Sequence, residues 1–155
     1  MKQALFPGTF DPFTLGHASL IERGLQLFDN ILIAIGSNID KKNMFSVEER
    51  INHLKLCYIN EPRVEICTYD ELTATFAKKK NIKFIIRGIR TLGDFEYERL
   101  LADINKKIAG IETICLFSEP ELSCVQSNVV RDLLKHNQDA KGFVPEAILE
   151  ILKKK

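Results

Sequence analysis

The chain predicts an α/β fold: a doubly wound, five-stranded parallel sheet with helices on both faces. Three observations point there. Apolar runs recur at Ala4-Leu5-Phe6, Ile31–Ile35, Val64–Cys67, Phe84–Ile86 and Ile114–Phe117, unbroken rather than alternating, as in strands buried on both sides. Amphipathic stretches at helical spacing separate them. The resulting order, β-α-β-α-β-α-β-α-β-α-α, requires crossovers between parallel strands, which are right-handed as a rule. At 155 residues the chain suits one domain, read over positions 1–155, with no repeat, linker or low-complexity tract.

Each helix has its own signal. The stripe His17, Leu20, Ile21, Gly24, Leu25, Phe28 follows one helix face. Ser46-Val47-Glu48-Glu49 is a capping box, and Val47, Ile51, Leu54 and Tyr58 continue its helix. Glu71 to Lys80 carries Leu72 and Phe76. Tyr97, Leu101, Ile104 and Ile108 form a further stripe, as do Val129, Val130, Leu133 and Leu134. Pro145 suits the first helical position of a last segment ending in Lys153-Lys154-Lys155. The whole arrangement is Rossmann-like, and ligands of such sheets bind beyond the carboxyl ends of the strands.

Composition excludes several classes of function. Lys plus Arg is 22 and Asp plus Glu is 21, so a net charge of +1 gives no global field for nucleic acid. The longest apolar run, Ile31–Ile35, is too short to span a bilayer, and Pro7-Gly8 cuts off any signal-peptide core. Cys57, Cys67, Cys115 and Cys124 show no metal-type spacing with the histidines and read as reduced thiols, with Cys67 and Cys115 packed in strands. The expectation is a soluble, cytoplasmic protein that engages neither nucleic acid nor membrane.

Three loops at the ligand-facing edge carry chemistry. Pro7-Gly8-Thr9-Phe10-Asp11-Pro12-Phe13-Thr14-Leu15-Gly16-His17 brings two glycines and a helix start, which suits a phosphate. It fits neither a Walker A loop nor G-x-G-x-x-G, and His17 by position alone equally continues an apolar face. Asp40-Lys41-Lys42-Asn43 follows the second strand. Arg87-Gly88-Ile89-Arg90-Thr91-Leu92-Gly93-Asp94-Phe95-Glu96-Tyr97-Glu98 sets two arginines at the sheet edge, where guanidinium forks match phosphate oxygens; ion pairing with Asp94, Glu96 or Glu98 is the plainer alternative. A fourth stretch, Glu119 to Asn128, opens a helix in which Ser127 or Asn128 serves as N-cap or as part of a second phosphate cradle.

Thr14-Leu15-Gly16-His17 matches the T/H-x-G-H motif of the nucleotidyltransferase superfamily. More narrowly, Pro7–Pro12, Lys41-Lys42 with Met44-Phe45, Glu48-Glu49-Arg50, and Arg87-Gly88-Ile89-Arg90 with Asp94-Phe95-Glu96-Tyr97-Glu98 resemble the bacterial phosphopantetheine adenylyltransferase family nearly end to end. The resemblance implies transfer of the adenylyl group of ATP to 4′-phosphopantetheine, giving dephospho-CoA and pyrophosphate in coenzyme A biosynthesis. It implies that His17 stabilises the transition state, with Lys41 and Arg90 assisting. Thr9 and Phe10 would lie between the substrates, and Lys41 and Arg87 would hold the phosphopantetheine phosphate. Gly88, Ile89, Arg90 and Glu98 would contact ATP, as would the stretch Leu122, Ser123, Cys124, Val125, Gln126, Ser127, Asn128. Leu72, Thr73 and Asn105 would meet the pantetheine arm. Mg²⁺, a homohexamer and CoA as feedback ligand belong to the same implication. The chain departs from the family in having Leu122 where many members have Trp, and Gln126-Ser127-Asn128 where they have a run of serines.

The acceptor phosphate is already an anionic nucleophile, so direct in-line displacement is expected without a covalent enzyme intermediate. Two other readings compete on the sequence: a related transferase acting on nicotinamide mononucleotide or glycerol phosphate, and a silent nucleotide-sensing module.

Overall fold

The computed structural model describes residues 1–37 and 42–153. Strands β1 (Gln3–Gly8), β2 (Asn30–Gly36), β3 (Val64–Tyr69), β4 (Phe84–Ile89) and β5 (Glu112–Phe117) form one parallel sheet in the order β3-β2-β1-β4-β5. Helices α1 (Leu15–Gly24), α2 (Val47–Cys57), α3 (Thr73–Lys79), α4 (Leu92–Ala109), α5 (Ser127–Lys135) and α6 (Glu146–Leu152) follow the predicted order, with a short 3₁₀ turn at Pro120–Leu122. The doubly wound α/β class is the one the sequence predicts. Among the described residues no helix is long and apolar enough to cross a membrane.

Strand periodicity divides the core into two layers. Ala4 and Phe6 of β1, Ile31, Ile33 and Ile35 of β2, and Ile86 of β4 face α1, α2, α5 and α6, meeting Leu20, Ile21, Leu54, Val130, Ile148 and Leu149. Leu5, Leu32, Ala34 and Ile85 point the other way, to Ala74, Phe76 and Ala77 of α3 and to Ile111. Only the three central strands are sealed on both faces. The runs at β3 and β5, expected to be buried, are half-exposed edges, and Cys115 is exposed while Cys67 is half-buried.

Chain order reverses between β1 and β4, the switch point at which such sheets bind ligands. These two strands pair only at Ala4–Phe84 and Leu5–Ile85, although β1 runs on to Gly8 and β4 to Ile89. Beyond Leu5 and Ile85 they diverge and open a crevice. β4 meanwhile stays paired with β5 throughout, Arg87, Gly88 and Ile89 lying opposite Cys115, Leu116 and Phe117. Arg87 thus sits in a strand rather than in the loop that the sequence suggests.

Capping boxes set three of the six described helix starts, those of α1, α2 and α4. Ser46 Oγ accepts the Glu49 N–H at 3.1 Å while Glu49 accepts the Ser46 N–H at 2.8 Å, the predicted capping box. Thr91 and Asp94 repeat the device on α4, and Gly110 closes that helix at φ +68°. The cap of α5 is Gln126, so Ser127 is the first helical residue, and Pro145 caps α6 rather than entering it.

The largest departure concerns α4. The stripe Tyr97, Ile104 and Ile108, with Leu100, faces outward. The inward positions are Glu98, Leu101, Ala102, Asn105 and Ala109, of which only Glu98 is fully buried. An apolar stripe at helical spacing reads as core-facing, and here an inward ion pair sets the rotation instead.

Ile33, wholly buried in a central strand, tests the layered core: Ile33→Ala should lower the unfolding free energy by about 2–5 kcal/mol, read as a lower urea midpoint at unchanged slope.

Candidate active site

A cleft of about 670 Å³ occupies the gap between β1 and β4. Its floor is Pro7 and Gly8 from one strand and Arg87 and Gly88 from the other; α1 and the start of α5 form its walls. Close approach is built in. A Cβ on Gly88 would lie 2.5 Å from Leu20 Cδ1, and one on Gly16 would lie 3.1 Å from the Val125 carbonyl, so these glycines let α1 meet β4 and the segment before α5.

His17 is the third residue of α1 and half of its capping box. Thr14 N–H donates to His17 Nδ1 at 3.1 Å, Thr14 Oγ1 lies 3.0 Å from the same nitrogen, and the His17 N–H donates to that hydroxyl oxygen at 3.4 Å. A backbone N–H has one role, so Nδ1 must accept and the ring proton of the neutral form sits on Nε2. Phe13 stacks on the ring at 5.5 Å between centroids, while Phe10 and Phe6 meet it edgewise at 5.1 and 6.3 Å. This burial, with the Arg90 and Arg87 charges, lowers the His17 pKa from 6.5 to about 4. Near neutral pH the cleft therefore contains an uncharged imidazole with one donor N–H.

The two arginines are held differently. Arg87 forms a bidentate pair with Glu98, Nε to Oε2 at 2.8 Å and Nη2 to Oε1 at 2.6 Å, and Nη1 donates to the Pro7 carbonyl at 2.8 Å. Glu98 is 6% exposed, so its carboxylate is spent on Arg87 within the cleft wall. Arg90 is exposed, and Asp94 holds its Nε and Nη2 at 3.0 and 3.2 Å. The ion pairing that competed with a phosphate role in the sequence is thus present at both arginines, and both still line the cleft.

Opposite them, Ser127 Oγ donates to the Pro12 carbonyl at 2.8 Å and Arg131 Nη1 to the Asp11 carbonyl at 2.7 Å, fastening α5 to the loop after β1. Lys42 and Arg131 line the cleft without an ion pair to any described residue. Arginines, a lysine, a neutral imidazole and the free N–H groups of a helix start make a receptacle for polyanions.

Of the residues assigned from the sequence, Thr9, Phe10, His17, Arg87, Gly88, Arg90 and Glu98 line the cleft, as do Leu122, Val125, Gln126, Ser127 and Asn128. Ile89 is buried in the sheet, Ser123 Oγ bonds the Pro120 carbonyl, and Cys124 is exposed; none of the three lines it. Leu72 caps α3 in an exposed position, Thr73 Oγ1 lies 3.0 Å from the Tyr69 hydroxyl, and Asn105 stands about 20 Å along α4 at 1.5 Å per residue. Those three also lie outside the lining. Asp40 and Lys41 fall outside the described residues. Arg131 carried no assignment; its one sequence signal is its place one turn after Ser127, on the same helix face. Among the described residues no group of three or more His, Cys, Asp or Glu side chains could hold a metal ion.

Similarity to known proteins fits this geometry. The cytidylyltransferase-like family matches residues 5–145. A phosphopantetheine adenylyltransferase of Bacteroides thetaiotaomicron is 52% identical over 148 residues, covering 96% of this chain and 98% of that protein. One from Flavobacterium johnsoniae is 46% identical over the same length, covering 96% and 97%. Among solved structures, a bifunctional NMN adenylyltransferase/ADP ribose pyrophosphatase from Francisella tularensis superposes with a TM-score of 0.73 at 18% identity. It covers 99% of this chain and 49% of its own, a likeness of fold.

The His17 environment generates a signed prediction. Its folded pKa lies below the unfolded value, so between about 6.5 and about 4 the unfolded chain binds more protons, and this residue makes stability fall as pH drops through that window. An NMR titration of the His17 ring should show a midpoint near pH 4, and Arg90→Ala should move it upward by removing the guanidinium charge that acts on it more strongly.

Proposed function

The chain belongs to the phosphopantetheine adenylyltransferases within the cytidylyltransferase-like family, and we propose that its cleft performs their reaction by direct in-line displacement. The enzyme transfers the adenylyl group of ATP to 4′-phosphopantetheine, giving dephospho-CoA and pyrophosphate. An oxygen of the acceptor phosphate attacks the α-phosphorus, and the bond from that phosphorus to the pyrophosphate oxygen breaks. No covalent enzyme intermediate forms and no base is needed, because the nucleophile is already anionic.

The observation that carries the reading is the fixed tautomer of His17. With Nδ1 held by Thr14, Nε2–H is the group left to donate to a non-bridging α-phosphate oxygen. In the ligand-free cleft the ring is neutral near pH 7, held as a directed donor and not as a cation. Arg90, steadied by Asp94, takes the ATP phosphates, and the N–H groups opening α5 add to the cradle. Arg87 and the lysines after β2, Lys41 among them, take the acceptor phosphate. Leu72, Thr73 and Asn105 remain our assignment for the pantetheine arm.

The described side chains do not fit a metal held by the protein. The Asp11 carboxylate is bonded to backbone N–H groups, and Asp94 and Glu98 are bonded to arginines. Mg²⁺ belongs on the phosphates of ATP itself. Coenzyme A shares the phosphopantetheine arm and on this reading competes for the cleft as feedback ligand. A hexamer is supported by the outward apolar stripe of α4, where Tyr97 is 60% and Leu100 57% exposed. A cytoplasmic location accords with four unpaired cysteines.

Pyrophosphate release from Mg·ATP should depend on 4′-phosphopantetheine and stay at background with nicotinamide mononucleotide; release with the second acceptor alone would overturn the acceptor site. His17→Ala should cut turnover about 10²–10³-fold with an unchanged circular dichroism spectrum. Arg90→Ala should weaken ATP and Lys41→Ala should weaken phosphopantetheine; loss of ATP affinity alone in both would refute that division.

A further inference from the structure

Asp11 lines the cleft and is 4% exposed, yet its carboxylate is occupied by the chain itself. Oδ2 accepts the Met44 N–H and Oδ1 the Phe45 N–H, both at 2.9 Å. The residues just before this pair, Lys42 and Asn43, line the cleft. Just after it, the Ser46 carbonyl accepts Arg50 Nε at 3.3 Å, and Arg50 Nη1 returns to the Thr9 carbonyl at 2.7 Å. The loop after β1 and the segment entering α2 are thereby closed into a ring by two buried charged side chains.

The tie from the same loop to α5 is of another kind. Arg131 and Ser127 bond the backbone carbonyls of Asp11 and Pro12, which no side-chain change at position 11 removes.

We propose that Asp11 is a positioning residue for the acceptor side: its two charge-assisted hydrogen bonds hold the segment presenting Lys42 against the cleft, while the α5 cradle is held independently. The inference rests on the reading above, in which the lysine segment serves phosphopantetheine and α5 serves ATP. A carboxylate is required because both partners are donors. An amide has one acceptor and one donor group, and leaves a buried N–H facing another N–H.

The test separates position from charge. Asp11→Asn removes a negative charge from an anion site, so a purely electrostatic role predicts tighter phosphopantetheine binding. A positioning role predicts the opposite. Calorimetric titrations of parent, Asp11→Asn and Asp11→Ser with 4′-phosphopantetheine and separately with ATP, alongside kcat and KM for each, give the readout. Asp11→Ser keeps one acceptor, so the question survives if the Asn variant unfolds. We expect phosphopantetheine affinity to fall about 10–100-fold, the range of lost charge-assisted bonds, with ATP affinity within about threefold of the parent. Tighter binding, no change, or equal loss for both ligands would overturn the inference. A parent that binds no phosphopantetheine would instead bring down the functional reading on which it rests.

Discussion

The divergence of β1 from β4 is the constraint on which the rest of the site depends. Two central parallel strands that separate part-way leave backbone groups without ladder partners, and such groups need others. Here the chain supplies them locally. The Pro7 carbonyl points across the gap and is met by Arg87 Nη1. The nitrogen of the same residue would face the same gap, and proline has no N–H to strand there. A proline inside a central strand, ordinarily costly, suits this position because the ladder has already ended. Arg87 thus has two functions at once: it stitches the open strands and brings guanidinium to the floor of the cleft that their opening creates.

His17 illustrates how the same scaffold sets chemistry. A histidine with an ordinary pKa beside phosphates would gain a proton and hold its ligands as a cation. Phe6, Phe10 and Phe13 remove water from the ring, and the arginines add positive potential, so the ligand-free cleft disfavours the protonated ring. The cost of protonating a desolvated imidazole falls on the protonated state alone, while the neutral ring keeps a defined tautomer through Thr14. Positive charge is thus left to Arg87, Arg90 and Lys42, whose pairing or exposure lets them carry it, and direction is left to the imidazole. Separating charge from direction suits a reaction whose difficulty is bringing two anions together.

Much of this was legible in the sequence, for physical reasons that differ from residue to residue. Unbroken apolar runs and the Ser46 capping box are local signals, and the element order follows from them. The loop after β1 and the arginine segment were legible as parts of one site, because both follow strands that end at the same edge of the sheet, and the two segments do line one cleft. The exposure of β3 and β5 is not legible, because an apolar run does not say whether it will lie at an edge. Gln126 as a cap gave no sign, because it makes no side-chain cap bond, while the hydroxyl of Ser127, the commoner cap by type, is taken by the Pro12 carbonyl. Asp11 could not be singled out either. Its partners are backbone N–H groups more than thirty residues away, which any residue types would provide.

The outward turn of α4 joins these threads. A helix packed by hydrophobic burial alone would have presented Tyr97, Leu100, Ile104 and Ile108 to the sheet. Glu98 lies next to Tyr97 in sequence and about 100° round the helix, and its bidentate bond to Arg87 is short, nearly dry and anchored to the floor of the cleft. Removing one partner of such a pair leaves an uncompensated buried charge, a loss of about 3–5 kcal/mol. The ion pair therefore sets the rotation, and small or polar residues, Ala102, Asn105 and Ala109, follow it along the inner face. What the helix gives up in core burial it retains as an apolar outer stripe. A surface that covered that stripe would bear on the helix holding both Glu98 and Asp94, the two carboxylates that orient the arginines of the cleft. The chemistry at one end of α4 and the exposed stripe along its length thus share one cause.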